Sequence, residues 1–398
     1  MYDYDLVISG GGIAGLTAAA AFGAAGFSVL CLDPAPPITN RDSDGADLRS
    51  TAFLQPAQSF LESCGLWECL APHAMPLQTM RIVDASGARD DQRVTRDFDA
   101  SDISSAPFGW NLPNWLLRRE ISARLNDLPN VTFRPGTGTT TLFTRSASAK
   151  VGLSDGTRAT TRLVIAADGR NSPMRNAAGI SVTTQRFGQK ALAFAVTHPI
   201  PHNNISTEVH RSGGPFTLVP LPDHEGRPCS AVVWMEDGPE AVRLSEMDIA
   251  AFEAEMSERS AWVQGPLTLA SKRTVWPIIA QNAQRLCAER LALVAEAAHV
   301  VPPIGAQGLN ISLADIACLR DLAQARPEAL GDQTMLTTYH RARFADMRMR
   351  VAGITMLNKT SQAGSPPVQA LRAAGISALH GIAPVRKGLM RLGLGAGN

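Results

Sequence analysis

The chain has 398 residues, more than one typical hydrophobic core, which sets two domains as the starting expectation. Its 37 Lys and Arg against 36 Asp and Glu leave a net charge of +1, so there is no electrostatic case for a nucleic-acid partner. Six cysteines, at 31, 64, 69, 229, 287 and 318, show no Cys-x-x-Cys and no ligand spacing, so the reading is reduced, mostly core thiols and no metal site.

The first predicted element is a short apolar strand from Tyr4 to Ser9. Gly10, Gly12 and Gly15 follow as G-x-G-x-x-G. The first glycine permits a tight turn, the second lets a pyrophosphate touch backbone, and the third brings a helix close to a sheet. An Ala-rich helix is expected from about Ile13 to Ala25, with Gly26 as its C-cap. A second strand, Phe27 to Leu32, closes on Asp33, where an acid can accept hydrogen bonds from a ribose diol. Strand, glycine loop, helix, strand and acid in that order predict a dinucleotide site. No signal peptide is expected before a strand that starts so near Met1, and no run is long enough to span a bilayer.

The segment Met80 to Gly87 predicts a strand and turn. Gly136-Thr-Gly138 lacks a third glycine and a following helix, so one dinucleotide loop is implied, not two. Leu163 to Ala167 predicts a strand, Asp168-Gly169 a turn, and Ser172-Pro173 the cap and first turn of a helix. Alone this is a well-capped connection. Beside a dinucleotide fold, an Asp at a strand's C-terminal end is where ligands are held. Ala191 to Thr197, Ile205 to Arg211, Phe216 to Leu221 and Cys229 to Glu236 then predict strands of a mainly antiparallel sheet inserted into the nucleotide domain. Helical pattern returns from Asp248 to Arg259.

Leu291 to Val294 predicts another apolar strand, stopped by Glu296. A tight loop holds Pro302, Pro303, Gly305 and Gly308, and a helix is expected to begin near Leu309. Its N-terminus offers unpaired N–H groups and partial positive charge to a ligand. The chain is predicted helical from about Thr337, with a break at Pro366-Pro367. The fold class is therefore α/β: a Rossmann-like nucleotide domain (1–75, 101–185 and 276–336), an inserted sheet domain (76–100 and 186–275) and a helical C-terminal region (337–398).

Four stretches together, GGGIAGL, DLRSTAFLQPAQSFLESCGLW, ADGRNSPMR and AEAAHVVPPIGAQGLNISLAD, resemble the flavoprotein monooxygenases of the para-hydroxybenzoate hydroxylase type. The helix expected from Ser59 to Trp67, the Asp47-Leu48-Arg49 segment and the tail from Tyr339 resemble the ubiquinone-biosynthesis branch. The resemblance implies FAD, with Gly10, Gly12, Ile13, Ala14 and Gly15 at its pyrophosphate and Asp33 at the adenosine ribose. It places Arg49, Arg118, Asp168, Glu296, Pro303, Gly305, Gly308, Leu309 and Asn310 around the rest of the cofactor. Arg119 adjoins Arg118 and competes for that role. The family usually has Gly before the acid, whereas this chain has Ala295. His299 has two readings, a catalytic base or a loop histidine packed near the cofactor.

The implied activity is hydroxylation of a polyprenylated phenol by O₂ through a flavin C4a-hydroperoxide, with NAD(P)H as a transient co-substrate. Phe216, Leu218, Pro220 and Leu221 are the expected pocket residues. A small aromatic acid as substrate, or isoprenoid reduction on the same fold, are the alternatives. His380, Arg386, Lys387 and Arg391 among apolar residues allow a cytoplasmic protein touching the inner membrane at its edge, or joining a biosynthetic complex.

Overall fold

The computed structural model describes residues 2–85, 94–211, 213–362, 380 and 382–394, and the expected break at Pro366-Pro367 and turn at Gly87 lie outside them. Strands and helices are numbered here along the chain. A first sheet carries parallel strands in the order β19 (Leu291–Leu293), β11 (Arg158–Ala166), β1 (Tyr4–Ser9), β2 (Val29–Asp33) and β8 (Val131–Pro135). The short β18 (Cys287–Ala288) edges it, and β9 (Thr139–Thr144) and β10 (Ala149–Leu153) extend from β11. Strand β1 is central, and its Leu6, Val7 and Ile8 are fully buried, as expected for a strand covered on both faces.

Helix α1 (Ile13–Ala24) follows β1 and buries ten residues, seven of them Ala or Gly, so it lies close against the sheet. Gly26 takes φ +87° beyond its end. Helix α8 (Gln307–Ala325) packs beside it, and the 29-residue α9 (Gln333–Ser361) packs on α8. The helix expected over Ser59–Trp67 is two helices, α2 (Gln55–Ser63) and α3 (Trp67–Leu70). The break falls at Gly65, whose φ of +67° is the left-handed conformation that ends a helix.

The second sheet orders β20 (His299–Val300), β17 (Thr274–Ala283), β12 (Val182–Thr197), β15 (Arg227–Asp237), β14 (Pro215–His224), β13 (Ile205–His210), β5 (Thr79–Asp84) and β6 (Val94–Asp99), with β16 (Thr268–Leu269) on β12. Every pairing in it is antiparallel except β13 with β5. Strands β12 and β17 run past residues 185 and 276, so this sheet reaches further into the nucleotide body than the sequence suggests. One face buries Leu192, Phe194, Val196, Phe216, Leu218, Val232 and Trp234 under α6 (Gly238–Glu246) and α7 (Ile249–Arg259), whose N-cap is Asp248. Its rings interlock edge to face, Phe216 on Trp234 at 5.4 Å and Phe194 on Phe252 at 5.2 Å. A third, small sheet of β3 (Ser50–Leu54), β7 (Gly109–Pro113) and β4 (Met75–Leu77) lies beside the site. Helix α4 (Asn114–Leu125) leaves β7, and α5 (Pro173–Ala177) follows the Asp168 turn.

Candidate functional site

Two helix N-termini open on the site, and neither carries a side-chain cap. At the first, Gly10 has φ +105° and an added Cβ would sit 2.4 Å from the Ala167 carbonyl oxygen. An added Cβ at Gly15 would stand 1.8 Å from the Gly10 oxygen. At Gly12 it would meet nothing within 4 Å. Two glycines are thus demanded by backbone contact, and the third faces open space. That open cradle, lined by the unpaired N–H groups of the first turn around Ile13 and Ala14, suits a pyrophosphate. Asp33 ends β2 and accepts from the Gly11 N–H (2.6 Å) and the Ala35 N–H (2.9 Å), so it fixes the loop it adjoins.

Asp168 lies across from Gly10, at the end of β11. One carboxylate oxygen accepts from the Ser9 hydroxyl (3.0 Å) and the Met174 N–H (3.2 Å), and the other is buried with no partner. Burial pushes the carboxyl pKa upward, against the pull of these hydrogen bonds. Ser172 caps α5 by accepting from the Arg175 N–H at 3.0 Å, as its position before Pro173 predicts. Arg175, which the sequence did not single out, donates to the carbonyls of Ala297 (3.0 Å) and Arg170 (2.9 Å). It ties the turn at Asp168 to the loop that carries Glu296.

A charged cluster stands on the other side. Arg49 grips Asp47 with two hydrogen bonds of 2.7 Å and lies over the Trp276 ring at 5.2 Å. The Asp47 carboxylate also accepts from the Asn114 amide at 3.0 Å. Burial would raise the Asp47 pKa, but Arg49, Asn114 and the charge of Arg118 outweigh it and hold the group below the usual carboxylate range. The hydrogen bonds that Arg49 donates to Asp47, with the nearby charges of Asp47 and Glu296, keep it firmly cationic. Arg118 leaves its Nε buried without a partner, while Arg119 is exposed, paired with Glu120 and stacked on Trp115. Of the two adjacent arginines, Arg118 is therefore the one free to meet a ligand.

The second N-terminus is that of α8. The loop before it passes Glu296, exposed in a single 3₁₀ turn (Ala295–Ala297), then Pro303 and Gly305, also exposed. The helix begins at Gln307, so Gly308, Leu309 and Asn310 lie in its first turn rather than before it. Ala295 (φ +53°) and the N-cap Ala306 (φ +56°) both take the left-handed conformation that glycine favours. The Asn310 side chain is committed to protein: it donates to the carbonyls of Ala52 (2.8 Å) and Ala306 (2.6 Å) and accepts from the Leu54 N–H (2.9 Å). It clamps β3 to the loop, and its backbone is what remains for a cofactor.

His299 is buried, and its Nε2 lies 2.9 Å from a fully buried Asp315 oxygen. Asp315 also accepts from Arg343 (2.7 Å), which pairs with Asp346 (2.9 Å), which pairs with Arg350 (3.0 Å). The histidine belongs to a network that pins the loop to α8 and α9.

The pocket residues need correction. Register puts Phe216 and Leu218 on the face of β14 that packs under α7, away from the loops. Val219 and Leu221 lie on the opposite face with Ala195, Ala231 and Val233, and Pro220 offers only its carbonyl, to Asn111. Strand side chains alternate between faces, and FTLVPLP is apolar at nearly every position, so nothing in it marks the inward parity. Beside the site, a buried apolar cluster is formed instead by Ala52, Leu54, Leu77, Phe98, Phe108 and Met390, with Val219 and Ala306 packed against it.

Uncapped helix ends, a glycine cradle and an inserted sheet beside them define a dinucleotide-cofactor protein. The chain belongs to the family described as FAD binding domain, whose model matches residues 3–352. It is 31% identical to "Ubiquinone hydroxylase UbiL" of Rhodospirillum rubrum over 98% of this chain and 89% of that protein. It is 25% identical to the "3-demethoxyubiquinol 3-hydroxylase" of Escherichia coli over 98% of each. Among solved structures, p-nitrophenol 4-monooxygenase PnpA from Pseudomonas putida DLL-E4 shares the fold, with a TM-score of 0.79, 18% identity and 98% of both chains covered.

The residues present fit FAD. The cradle at Gly12, the orphaned Asp168 oxygen and the unpartnered Arg118 Nε are the unmet groups that such a cofactor would satisfy.

Proposed function

We propose that the protein is an FAD-dependent monooxygenase that uses NAD(P)H and O₂ to hydroxylate the aromatic ring of a polyprenylated phenol in ubiquinone biosynthesis. The observation that carries this reading is the open cradle at Gly12 with the unpartnered Asp168 oxygen and Arg118 Nε around it, set beside the buried apolar cluster of Ala52, Leu54, Leu77, Phe98, Val219 and Met390 that meets the α8 loop at Ala306. Apolar surroundings of this kind suit an aromatic ring and the start of a greasy tail. The similarity to ubiquinone hydroxylases over nearly the whole chain supports the same choice. Nucleotide contacts fall to residues 1–75, 101–185 and 276–336, and substrate contacts to 76–100 and 186–275 together with Ala52 and Leu54 of β3.

Bound FAD supplies the redox chemistry and the activation of oxygen. The chain's own residues bind and orient it. Gly10, Gly12 and Gly15 leave room for the pyrophosphate, Asp33 accepts from the ribose, and Glu296 accepts from the ribityl chain. Arg49 and Arg118 face the isoalloxazine side with positive charge. The α8 N-terminus directs its N–H groups and dipole at negative charge developing on the ring system. The second sheet and the small residues Ala191, Ala193, Ala195 and Ala231 on its inner face keep water from the reacting atoms.

Peripheral contact with the inner membrane is our reading of how a tailed phenol arrives. Exposed Met349, Met356 and Leu357 on α9, with Arg348 and Lys359 near them, support it. Among the described residues no helix is long and apolar enough to cross a membrane.

Quinone profiling of a strain lacking the protein tests the reading. Ubiquinone should fall and a prenylated phenol short of one ring hydroxyl should accumulate. An unchanged quinone profile would contradict it.

A further inference from the structure

Helix α8 carries a furrow that the cofactor site leaves unused. A cavity of about 620 Å³ lies along it, within the size range of small-molecule sites. One wall is α2, with Phe60, and the other is α9, with Arg343, Asp346 and Arg350. On the α8 floor Ala314 and Ala317 offer only methyl groups, so the space between the walls stays unfilled. The furrow runs from Gln307 to Leu322, 15 residues of helix at 1.5 Å each, or about 22 Å. A volume of 620 Å³ over that length leaves a mean cross-section of about 28 Å². That takes one extended hydrocarbon chain and not a helix, which needs about 10 Å of width.

The charges decide the chemistry of the occupant. Asp321, Arg343, Asp346 and Arg350 border the furrow, two anions against two cations, and each already stands in an ion pair. An ionic ligand would meet no net charge there, so the furrow suits a neutral, apolar one. At the Gln307 end it reaches the site. Leu54 of β3 lines the furrow and also belongs to the buried apolar cluster that meets Ala306. Asn310 lines it too, and its clamp on Ala52 and Leu54 holds β3 against the first turn of α8.

We propose that this furrow holds the isoprenoid tail of the substrate, with the ring at the cofactor and the tail laid along α8 between α2 and α9. The inference rests on the proposed function and deepens it. The sheet domain then meets the ring, and the nucleotide domain itself meets the tail. The furrow binds through apolar area, so affinity grows with each isoprene unit until the chain reaches Leu322 and then levels off.

The test reads Kd from perturbation of the flavin spectrum on the FAD-loaded protein, with 2-prenylphenol and 2-geranylgeranylphenol as ligands. The wild-type protein should bind the longer tail at least about tenfold more tightly, because apolar burial grows with area. In Ala317→Phe, whose ring fills the floor, that gain should fall to about twofold or less, while FAD content and Kd for 2-prenylphenol hold. A wild-type protein indifferent to tail length, or a variant that keeps the full gain, would overturn the proposal. Photolabelling of the wild-type protein decides the place even where the variant folds poorly. A 2-geranylgeranylphenol with a diazirine on its last isoprene unit should mark α2 or α8. Marking confined to the second sheet would overturn the proposal. So would labelling of the furrow by a photoreactive phosphatidylcholine in vesicles that excess 2-geranylgeranylphenol leaves undiminished. Failure of the wild-type protein to hydroxylate either phenol with NAD(P)H would sink the functional reading, while the Kd ratio and the label would still decide where the tail lies.

Discussion

The two loops that meet at the site hold the left-handed backbone conformation in opposite ways. In the Gly10–Gly15 loop, glycine is imposed by backbone, since a Cβ at Gly15 or Gly10 would lie within 2.4 Å of a carbonyl oxygen. In the Ala295–Gln307 loop, two residues with positive φ are alanines, and side chains do the holding. Asn310 clamps the loop to β3, and His299, Asp315 and Arg343 anchor it to α8 and α9. A loop made of sterics cannot be altered without breaking it. A loop held by side chains is adjustable, and each holding contact has a separate energy.

The largest expected effect is in the first loop. Gly15→Val should abolish FAD binding and lower stability by about 3 kcal/mol or more, because the helix cannot move off the sheet without losing the α1 core. Flavin content and a denaturant melt check it, and a variant with normal flavin and melting would break the steric account. Next comes Asp315→Asn, which takes one of two carboxylate partners from half-buried Arg343 and removes the carboxylate that His299 pairs with. Its cost should be about 3–5 kcal/mol, read as a shift in the urea midpoint. A loss under 1 kcal/mol would mean that the second loop does not depend on this network.

How much of this could be read from the sequence divides along the same line. The glycine spacing, Asp33, the Asp168 turn and the Ser172 cap were legible because each is a local demand of backbone geometry on a few neighbouring residues. Arg175, Asn111 and the Asp315 network were not. Their partners lie 122, 109 and 16 or 28 residues away, and nothing in the intervening chain announces the meeting. Phe216 and Leu218 failed for a different reason. A strand apolar on both faces hides its parity, and only the register with β15 shows that Val219 points inward.

Smaller effects sharpen the comparison. Met390 of the C-terminal helix Ala383–Leu394 is buried in the apolar cluster beside the site, and Arg386 of that helix reaches Asp102 at 3.2 Å. Met390→Trp should overfill this cluster beside the site and lower kcat/KM for long-tailed phenols by about tenfold, a change of about 1.4 kcal/mol, with little effect on FAD content. Equal loss for tailed and tail-free phenols would remove Met390 from the substrate path. Smallest of all, Ala295→Gly and Ala306→Gly should each relieve left-handed strain. Against the added freedom of the unfolded chain, the net gain should be about 0–1 kcal/mol. A loss above 1 kcal/mol in a thermal melt would show that the alanine methyls pack usefully and that the second loop is as fixed as the first.

The measurement that bears most directly on the account is oxygen consumption by the FAD-loaded protein with NAD(P)H across phenols of increasing isoprenoid length, with products weighed by mass. Burial of a tail adds affinity at roughly 25 cal/mol per Å² before the costs of binding, so kcat/KM should rise with each of the first isoprene units, and each product should be heavier than its substrate by one oxygen. Efficient hydroxylation of a tail-free hydroxybenzoate with no gain from a tail, or oxidation of NAD(P)H without oxygen entering the ring, would contradict it.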